Sequence, residues 1–181
     1  MKIHNDVEKV LLSQEEIKEI CEKLGKQIAK DYEGKELLVV GILKGCVVFF
    51  SDLIRNIDLD FAIDFMVVSS YGNTTESSGM VQILKDLSVD IKGKNLLVVE
   101  DIVDSGVTLS NVKKVFLERG AADVKICTFL DKPARRKADI TVDYIGCSIP
   151  DEFVIGYGLD YAEKYRNLPY LAVLKRQVYE K

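Results

Sequence analysis

The sequence predicts an α/β fold with a central, mostly parallel sheet that is flanked by helices. Continuous apolar runs, typical of strands buried on both faces, alternate in the middle of the chain with segments of helical periodicity. The 181 residues are 48% hydrophobic and 30% charged, which is the composition of an ordinary globular domain. We find no internal repeat and no linker, and we therefore expect one domain over residues 1–181.

The two ends of the chain fit this alternation less well than its middle. We expect the core of the domain over roughly 37–145. Residues from roughly 1–36 and 145–181 are expected to pack together as a small hood subdomain over the strand ends.

The first predicted element is an amphipathic helix over residues 14–31. Ser13 and Glu16 match a capping box at its start, and apolar residues recur after them at helical spacing. Gly34 follows the last of these residues, and we expect the helix to stop near it.

The other elements follow from the same two patterns. Apolar residues at helical spacing predict helices over 46–56 and 109–116, and Gly120 ends the second of them as a C-terminal glycine. The run at 81–87 is expected to pair with that at 60–68 as a hairpin. Strands are predicted at 37–42, 60–68, 81–87, 96–99, 124–130, 142–145, 153–155 and 171–174.

Residues 69–79 form a polar, glycine-containing segment without periodicity of its own. An ordered loop of this length inside a compact domain is uncommon. We therefore expect either a lid or binding loop, or a mobile segment.

The most informative segment joins the strand at 96–99 to the helix that follows it. Two adjacent carboxylates, Glu100 and Asp101, come directly after the strand, and Asp104 comes three residues later. Ligands of an open parallel sheet bind beyond the carboxyl ends of its strands. Glu100 and Asp101 can accept hydrogen bonds from ribose hydroxyls, or they can hold Mg²⁺ through waters.

Residues 104–108 predict an anion cradle that suits a phosphate monoester. They open a helix, whose N-terminal amides and positive dipole end attract anions. Gly106 lets the backbone approach a ligand closely, and Ser105 and Thr108 add hydroxyl donors. Glu100, Asp101 and Asp104 together with the Ser-Gly-x-Thr sequence exceed what ordinary helix capping needs.

Composition and motifs exclude several other classes of site. The net charge of −4 is a poor match to general nucleic-acid binding. His4 is the only histidine, which removes HExxH and His-rich metal sites, and neither GxxxxGK[ST] nor GxGxxG is present. The four cysteines lack paired spacing and the apolar runs are too short to cross a membrane, so we expect buried thiols in a reducing compartment.

The segment over 98–108 resembles the phosphoribosyl-pyrophosphate (PRPP) motif of the type I phosphoribosyltransferases. In that motif a hydrophobic half and an acidic pair precede Ser/Thr-Gly-x-Thr. Segments at 43–45, 130–133 and 151–161, together with Arg166, resemble the hypoxanthine-guanine phosphoribosyltransferases over nearly the whole chain. The resemblance implies the type I phosphoribosyltransferase fold.

The resemblance also implies a role for each matching residue. Asp104 would be the catalytic base that accepts or holds the purine N7 proton, Lys132 would donate to the 6-oxo group, and Phe153 would stack on the purine. The implied contacts are Asp104, Ser105, Gly106, Val107 and Thr108 with the 5′-phosphate; Glu100 and Asp101 with the ribose; Lys44, Gly45 and Arg166 with pyrophosphate; Lys132, Phe153, Val154 and Asp160 with the purine; Glu100, Asp101 and Asp160 with the metal; and Ser70 and Tyr71 in the lid.

Residue type alone favours other interpretations for two of these residues. Lysines are mostly exposed in proteins and phenylalanines are mostly buried. Without the resemblance, Lys132 would be a solvated lysine at a strand end and Phe153 would be a core residue.

The reaction that the resemblance implies is a step of purine salvage. The 5-phosphoribosyl group of PRPP passes to hypoxanthine or guanine and gives IMP or GMP and pyrophosphate, with Mg²⁺ as the cofactor. The resemblance further implies a homodimer or homotetramer in the cytoplasm, with no nucleic-acid or membrane partner. The family often has a non-proline cis peptide before the position of Lys44.

Two other functions stay open at this point. A phosphoribosyltransferase that prefers xanthine would keep the same motifs, whereas adenine and uracil fit poorly with Lys132 and Phe153. A PRPP-binding regulatory protein of the same fold would need a basic face for nucleic acid, and the only candidate is the cluster of Lys132, Arg135, Arg136 and Lys137. A phospho-relay receiver would explain the acids but not Ser-Gly-x-Thr.

Overall fold

The structure, a computed structural model, describes residues 4–70 and 81–180. In chain order, the strands are β1 (Val7–Leu12), β2 (Leu37–Leu43), β3 (Ala62–Ser70), β4 (Val81–Lys85), β5 (Asn95–Val103), β6 (Asp123–Asp131), β7 (Tyr144–Ser148), β8 (Val154–Ile155) and β9 (Leu171–Leu174). The helices are α1 (Gln14–Asp31), α2 (Val47–Ile54), α3 (Val107–Glu118) and α4 (Arg176–Tyr179), with a 3-10 turn at Pro133–Arg135.

A six-stranded sheet forms the centre of the molecule, in the order β4-β3-β2-β5-β6-β7. Neighbouring strands are parallel except for β3 and β4, which form the antiparallel hairpin that the sequence predicts. Because all the parallel strands run the same way, their carboxyl ends meet at one edge of the sheet. This edge is where an open α/β fold binds its ligands.

Helices cover both faces of the sheet, which confirms the predicted α/β fold. Helices α1 and α2 pack on one face through a cluster that includes Leu24, Phe49 and Phe129. Helix α3 packs on the other face through a cluster that includes Leu109 and Phe116. Burying one such side chain contributes about 1.5–3 kcal/mol, so these two clusters hold the layers together.

Helix α1 begins at the predicted capping box. The Ser13 hydroxyl accepts a hydrogen bond from the Glu16 amide at 3.2 Å, and the Glu16 carboxylate accepts one from the Ser13 amide at 2.7 Å. Its buried stripe between Ile17 and Ile28 packs against α2 and β7 in the core. Helix α1 lies within the region of roughly 1–36 that was expected to form the hood. Its apolar stripe instead packs on the layer of the main sheet.

The two ends of the chain form a second sheet, the hood sheet, with three antiparallel strands in the order β1-β9-β8. Lys132, which follows β6, donates a hydrogen bond to the Glu152 carbonyl just before β8, at 2.6 Å. This contact ties the hood sheet to the carboxyl end of the main sheet.

Strand β5 is longer than the predicted strand at 96–99. Its parallel ladder with β6 continues to Val103, which pairs with Asp131, so Glu100 and Asp101 lie within the strand and not after it. The apolar pattern stops at the first carboxylate, whereas the backbone hydrogen bonds continue past it. Strand β7 is likewise displaced from the predicted 142–145.

The cysteines are free thiols, and Cys21, Cys46 and Cys127 are buried as expected, whereas Cys147 is half-buried. Burial raises the pKa of Cys21 to about 11, which keeps this thiol protonated at neutral pH. Within residues 4–70 and 81–180, we find no helix with both the length and the apolar character that a membrane span needs.

Candidate active site

A cavity of about 330 Å³ opens at the carboxyl ends of β2 and β5. It is formed by the turn after β2, the end of β5, the start of α3 and the loop after β8. The residues singled out in the sequence that line it are Lys44, Gly45, Glu100, Asp101, Asp104, Ser105, Gly106, Thr108, Asp160 and Arg166. Segments that are far apart in the sequence thus converge at this cavity, whereas Lys132, Phe153 and Val154 do not line it.

The loop over residues 104–108 joins β5 to α3. Gly106 is the N-cap of α3 with a φ of +77°, in the left-handed region that favours glycine. The Ser105 carbonyl accepts hydrogen bonds from the amides of Lys137 and Ala138, at 2.9 and 3.0 Å. These contacts fix the backbone at the N-terminus of α3, a position that binds anions in many proteins.

The acidic pair of Glu100 and Asp101 also lines the cavity. Asp101 is buried and Glu100 is half-buried. Burial raises the pKa of both carboxyl groups, and repulsion from Asp101 raises the pKa of Glu100 further. Glu100 Oε2 is buried and has no hydrogen-bond partner among the described residues. A cation bound here would stabilise the ionised form of both groups.

The turn after β2 lies against this acidic pair. Its Leu43–Lys44 peptide is cis. At Gly45 the backbone comes so close to the Asp101 carboxylate that a Cβ atom would overlap it. At Gly158, with a φ of +101°, a Cβ atom would overlap the Gly45 carbonyl. The close approach of neighbouring atoms therefore favours glycine at both positions.

We expect Gly45→Ala to lower the free energy of unfolding by about 1–3 kcal/mol, because the added methyl group overpacks the contact with Asp101. Thermal or denaturant unfolding measures this change. In an Asp101→Ala background the same substitution should cost much less, because the overlapping carboxylate is gone. An equal cost in both backgrounds would show that this contact is not the reason for glycine.

Two cations border the cavity, and each is paired with an acid. Lys44 Nζ lies 3.2 Å from a Glu163 carboxylate oxygen, and the Arg166 guanidinium lies 2.8 Å from Asp160. The Lys44 ammonium lowers the pKa of Glu163. Arg166 also donates to the Gly158 carbonyl at 2.9 Å. Sequence reasoning missed Glu163, since its contact with Lys44 depends on the tertiary fold.

Lys132 is buried, with 7% of its surface exposed. Besides its hydrogen bond to the Glu152 carbonyl, its Nζ lies 3.9 Å from an Asp151 carboxylate oxygen. Burial lowers the pKa of Lys132, and the negative charges of Asp104 and Asp151 oppose this effect. Buried ammonium groups are rare, so this lysine indicates a specific polar site and not a solvated strand end.

Phe153 is 38% exposed, against the expectation of a core residue from its type alone. Its ring stacks on Tyr179 with centroids 4.9 Å apart, and it meets Tyr161 edge-on at 5.6 Å. Val154 beside it is buried in β8. A ring that neighbours hold in place and that is still partly exposed suits stacking on a planar ligand. Neither tyrosine could be found from sequence periodicity.

Asp104 presents its two carboxylate oxygens to different surroundings. Oδ1 is buried and has no hydrogen-bond partner in the described part of the chain. Oδ2 lies 3.5 Å from the Arg135 guanidinium, which also pairs with Asp151 at 2.7 Å. Arg135 therefore links the loop over 104–108 to the segment that begins at Asp151, and no sequence motif pointed to this link.

The remaining residues that the sequence predicts for the site are Val107, Ser70 and Tyr71. Val107 is the first residue of α3. Ser70 ends β3, and Tyr71 lies outside the described residues.

The residues implied for a metal do not form a complete set of protein ligands. Within the described ranges, no three acidic, histidine or cysteine side chains converge on a point that could hold a metal ion. Glu100 and Asp101 remain as an adjacent pair, and Asp160 lines the same cavity. A metal held here would need further oxygen ligands from a substrate or from water.

The basic cluster at 132–137 does not form a free cationic face. Lys132 is buried, Arg135 pairs with Asp151, and Arg136 pairs with Asp131. Most of the positive charge in this cluster is thus neutralised locally, which does not suit a nucleic-acid surface.

Comparisons with known proteins give consistent matches. The family model described as phosphoribosyl transferase domain matches residues 9–162. A hypoxanthine-guanine phosphoribosyltransferase of Staphylococcus aureus (strain Mu50 / ATCC 700699) is 55% identical over 177 residues, which cover 98% of this chain and 99% of that protein.

Solved structures are similar over the same length. The crystal structure of a hypoxanthine phosphoribosyltransferase from Staphylococcus aureus has a TM-score of 0.95 and 54% identity, covering 98% of this chain and 97% of that one. A hypoxanthine phosphoribosyl transferase of Trypanosoma cruzi has a TM-score of 0.94 and 37% identity, covering 99% and 97%.

Proposed function

The chain belongs to the phosphoribosyl transferase family, and on this premise we propose that it transfers the 5-phosphoribosyl group of PRPP to hypoxanthine or guanine. The products are IMP or GMP and pyrophosphate, and the reaction is a step of purine salvage. One observation carries the proposal: an anion cradle, an acidic pair and a buried lysine lie at the neighbouring ends of β5 and β6.

The loop over 104–108 would bind the 5′-phosphate common to PRPP and the product nucleotide. The amides at the start of α3 and the hydroxyls of Ser105 and Thr108 are the donors, and Gly106 allows the close approach. The main-chain amides of Lys44 and Gly45 and the Arg166 guanidinium would bind the pyrophosphate group on the opposite side of the cavity. Arg166 suits this role because a guanidinium donates in a planar fork.

Mg²⁺ is the cofactor that we propose, and the acidic pair fits it. Mg²⁺ takes oxygen ligands and is usually held by one or two carboxylates together with substrate phosphates and waters. The partnerless Glu100 Oε2 and the neighbouring Asp101 would supply those carboxylates, with Asp160 near the pyrophosphate. When bound, the ion would offset charge on the departing pyrophosphate. Glu100 and Asp101 would also orient the ribose hydroxyls.

Asp104 would handle the proton of the purine. As the anomeric carbon loses pyrophosphate and becomes oxocarbenium-like, N9 of the base attacks and the proton on N7 must be held or removed. A carboxylate oxygen without a protein partner is suited to accept that proton. With one histidine in the chain, an exposed one at position 4, the base role falls to Asp104.

Lys132 and Phe153 would select and hold the base. An ammonium donates hydrogen bonds and cannot accept them, so Lys132 favours the 6-oxo group of hypoxanthine and guanine over the 6-amino group of adenine. Phe153 would stack on the purine, and the backbone of Val154 would meet its edge. Ser70 and Tyr71 would belong to a lid that excludes water from PRPP.

We also propose a homodimer or homotetramer in the cytoplasm. The four free thiols agree with a reducing compartment. Light scattering at micromolar protein concentration measures the assembly, and a monomer would contradict this part of the proposal.

Release of pyrophosphate tests the proposed reaction. Mixing the chain with PRPP, Mg²⁺ and hypoxanthine should release one pyrophosphate for each IMP formed, and omission of the base should stop the release. Release without a base would instead indicate hydrolysis of PRPP.

The raised pKa of Glu100 predicts a stabilising substitution. A carboxyl group whose pKa is higher in the folded state binds protons more tightly there, so stability is lost as the pH rises from its unfolded pKa through its folded pKa. We therefore expect Glu100→Gln to raise Tm at neutral pH without Mg²⁺, by about 2–4 °C for each kcal/mol of relief.

Thermal unfolding at neutral pH and at about pH 4 measures this difference, and the gain should shrink at the lower pH because Glu100 is then largely protonated in the unfolded state as well. The matched control is Glu118→Gln, on the exposed face of α3. A lower Tm for Glu100→Gln at neutral pH would contradict the raised pKa.

A further inference from the structure

The proposed phosphate loop over 104–108 contains no cation of its own. Among the described residues, the cations that border the cavity are Lys44, paired with Glu163, and Arg166, paired with Asp160, and both belong to the segments proposed for pyrophosphate. A phosphate monoester carries about two negative charges at neutral pH. A positive charge close to the loop would therefore affect binding, and the segment after β6 supplies one.

The segment after β6 packs directly on the phosphate loop. The amides of Lys137 and Ala138 both donate to the Ser105 carbonyl. The Arg136 side chain lies against Gly106: its Cδ and Nε atoms are 3.0 and 3.6 Å from the point where a Cβ atom on Gly106 would stand. Arg136 is thus the cation whose contact with the loop is closest to the start of α3.

A second cavity of about 460 Å³ adjoins this contact. It is lined by Asp104 and Ser105 of the phosphate loop and by residues 134–137. Since Asp104 and Ser105 also line the main cavity, the two spaces share a wall made of the phosphate loop.

The Arg136 guanidinium is only partly neutralised. Its Nη2 group pairs with the Asp131 carboxylate at the end of β6. Its Nε group is buried and has no hydrogen-bond partner among the residues that the structure describes. A buried donor without a partner is uncommon and needs an explanation, such as a ligand or a ligand-induced shift.

We propose that Arg136 is a positioning residue for the 5′-phosphate, which holds the Ser105–Gly106 backbone in place and directs a positive charge toward the phosphate. This inference rests on the proposed function, because it assigns the phosphate to the loop over 104–108. It extends that function to a residue outside the loop. The Asp131 carboxylate, which pairs with Arg136, then determines how strongly the positive charge of Arg136 acts on the phosphate.

Comparison of a nucleotide with its nucleoside tests this role. IMP and inosine differ only by the 5′-phosphate, so a residue that acts on the phosphate changes the binding of IMP alone. By calorimetry, we expect Arg136→Gln to weaken IMP binding about tenfold, as for the loss of one charge interaction at a partly buried site. Inosine binding should stay within about twofold of that of the native chain, and Arg136→Lys should restore part of the IMP affinity because it keeps the charge.

The matched control is Arg119→Gln. Arg119 pairs with Asp86 in a similar arginine–carboxylate contact elsewhere on the protein. This variant should bind IMP and inosine as the native chain does. Equal weakening of both ligands by Arg136→Gln would indicate a general structural role, and unchanged IMP binding would indicate none; either result would overturn the inference.

The Asp131→Asn variant distinguishes an electrostatic effect of Arg136 on the phosphate from a purely structural effect of the Asp131–Arg136 pair on the loop. It keeps the Arg136 cation and removes the opposing charge, so IMP binding should stay equal or become tighter. If the Asp131–Arg136 pair only braces the loop, Asp131→Asn should weaken IMP binding as much as Arg136→Gln does, which would contradict the charge role. Should this variant fail to fold, the comparison of Arg136→Lys with Arg136→Gln decides the same question, since only the charge role predicts rescue by lysine.

Measurements of IMP formation and IMP binding by the native chain distinguish failure of this inference from failure of the proposed function. If it forms IMP and binds it, and Arg136→Gln binds it equally well, only the inference is wrong. If the native chain neither forms nor binds IMP, both are wrong.

Discussion

We expect Asp104→Asn to lower kcat for IMP formation about 100-fold or more, the usual range for losing a general base. Asparagine keeps the size of the side chain but cannot take the purine N7 proton. Its amide also places a donor where the structure has a carboxylate oxygen without a partner. Steady-state kinetics with saturating hypoxanthine and PRPP measures this effect.

The KM for PRPP should change by no more than about threefold in this variant, because the backbone amides and hydroxyls of the loop remain. Asp58→Asn, at an exposed position after α2, is the matched control and should behave as the native chain. A native kcat for Asp104→Asn would remove Asp104 from the chemistry and leave it as a loop residue only.

The Lys132→Met variant should lose most of its selection for 6-oxopurines. Methionine fills the buried space but cannot donate to the 6-oxo group. A hydrogen bond to a charged group contributes about 1.5–3 kcal/mol, so kcat/KM for hypoxanthine should fall about 10- to 100-fold. The kcat/KM for adenine should fall less, because native Lys132 offers adenine no matching acceptor.

The ratio of kcat/KM for hypoxanthine and adenine is the quantity to compare between variants. Lys125→Met removes a lysine within β6 whose ammonium lies over the rings of Tyr32 and Tyr144, and it should leave the ratio unchanged. An unchanged ratio in Lys132→Met would show that this lysine is structural.

Features that short continuous stretches of the sequence determine were predictable. The capping box at Ser13, the alternation of apolar runs with helices, and the loop over 104–108 each depend on residues close together in the chain. Local periodicity and helix-terminus chemistry are enough for such features, and the structure places them where the pattern predicts.

Features made by tertiary contacts were not predictable. Residue type alone would expose Lys132 and bury Phe153, and the structure reverses both, because the Glu152 carbonyl accepts from the lysine, and Tyr161 and Tyr179 hold the ring at the surface. The contact of Arg135 with Asp104 joins segments whose approach no local pattern encodes. The position at which β5 ends could not be predicted either, because it depends on hydrogen bonds to the neighbouring strand β6.

The regulatory alternative loses support for a structural reason. A nucleic-acid-binding protein of this fold would need free cations, and the basic residues at 132–137 are largely buried or paired with acids. Their position beside the phosphate loop instead suits a role within the site.

Competition among bases tests the central claim most directly. The chain is incubated with PRPP, Mg²⁺ and equal amounts of hypoxanthine, guanine, xanthine, adenine and uracil, and the nucleotides formed are separated by chromatography. We expect IMP and GMP to be the main products, with little nucleotide from adenine or uracil. A dominant product from xanthine would assign the chain to the other base specificity, and no IMP or GMP at all would contradict the proposed function.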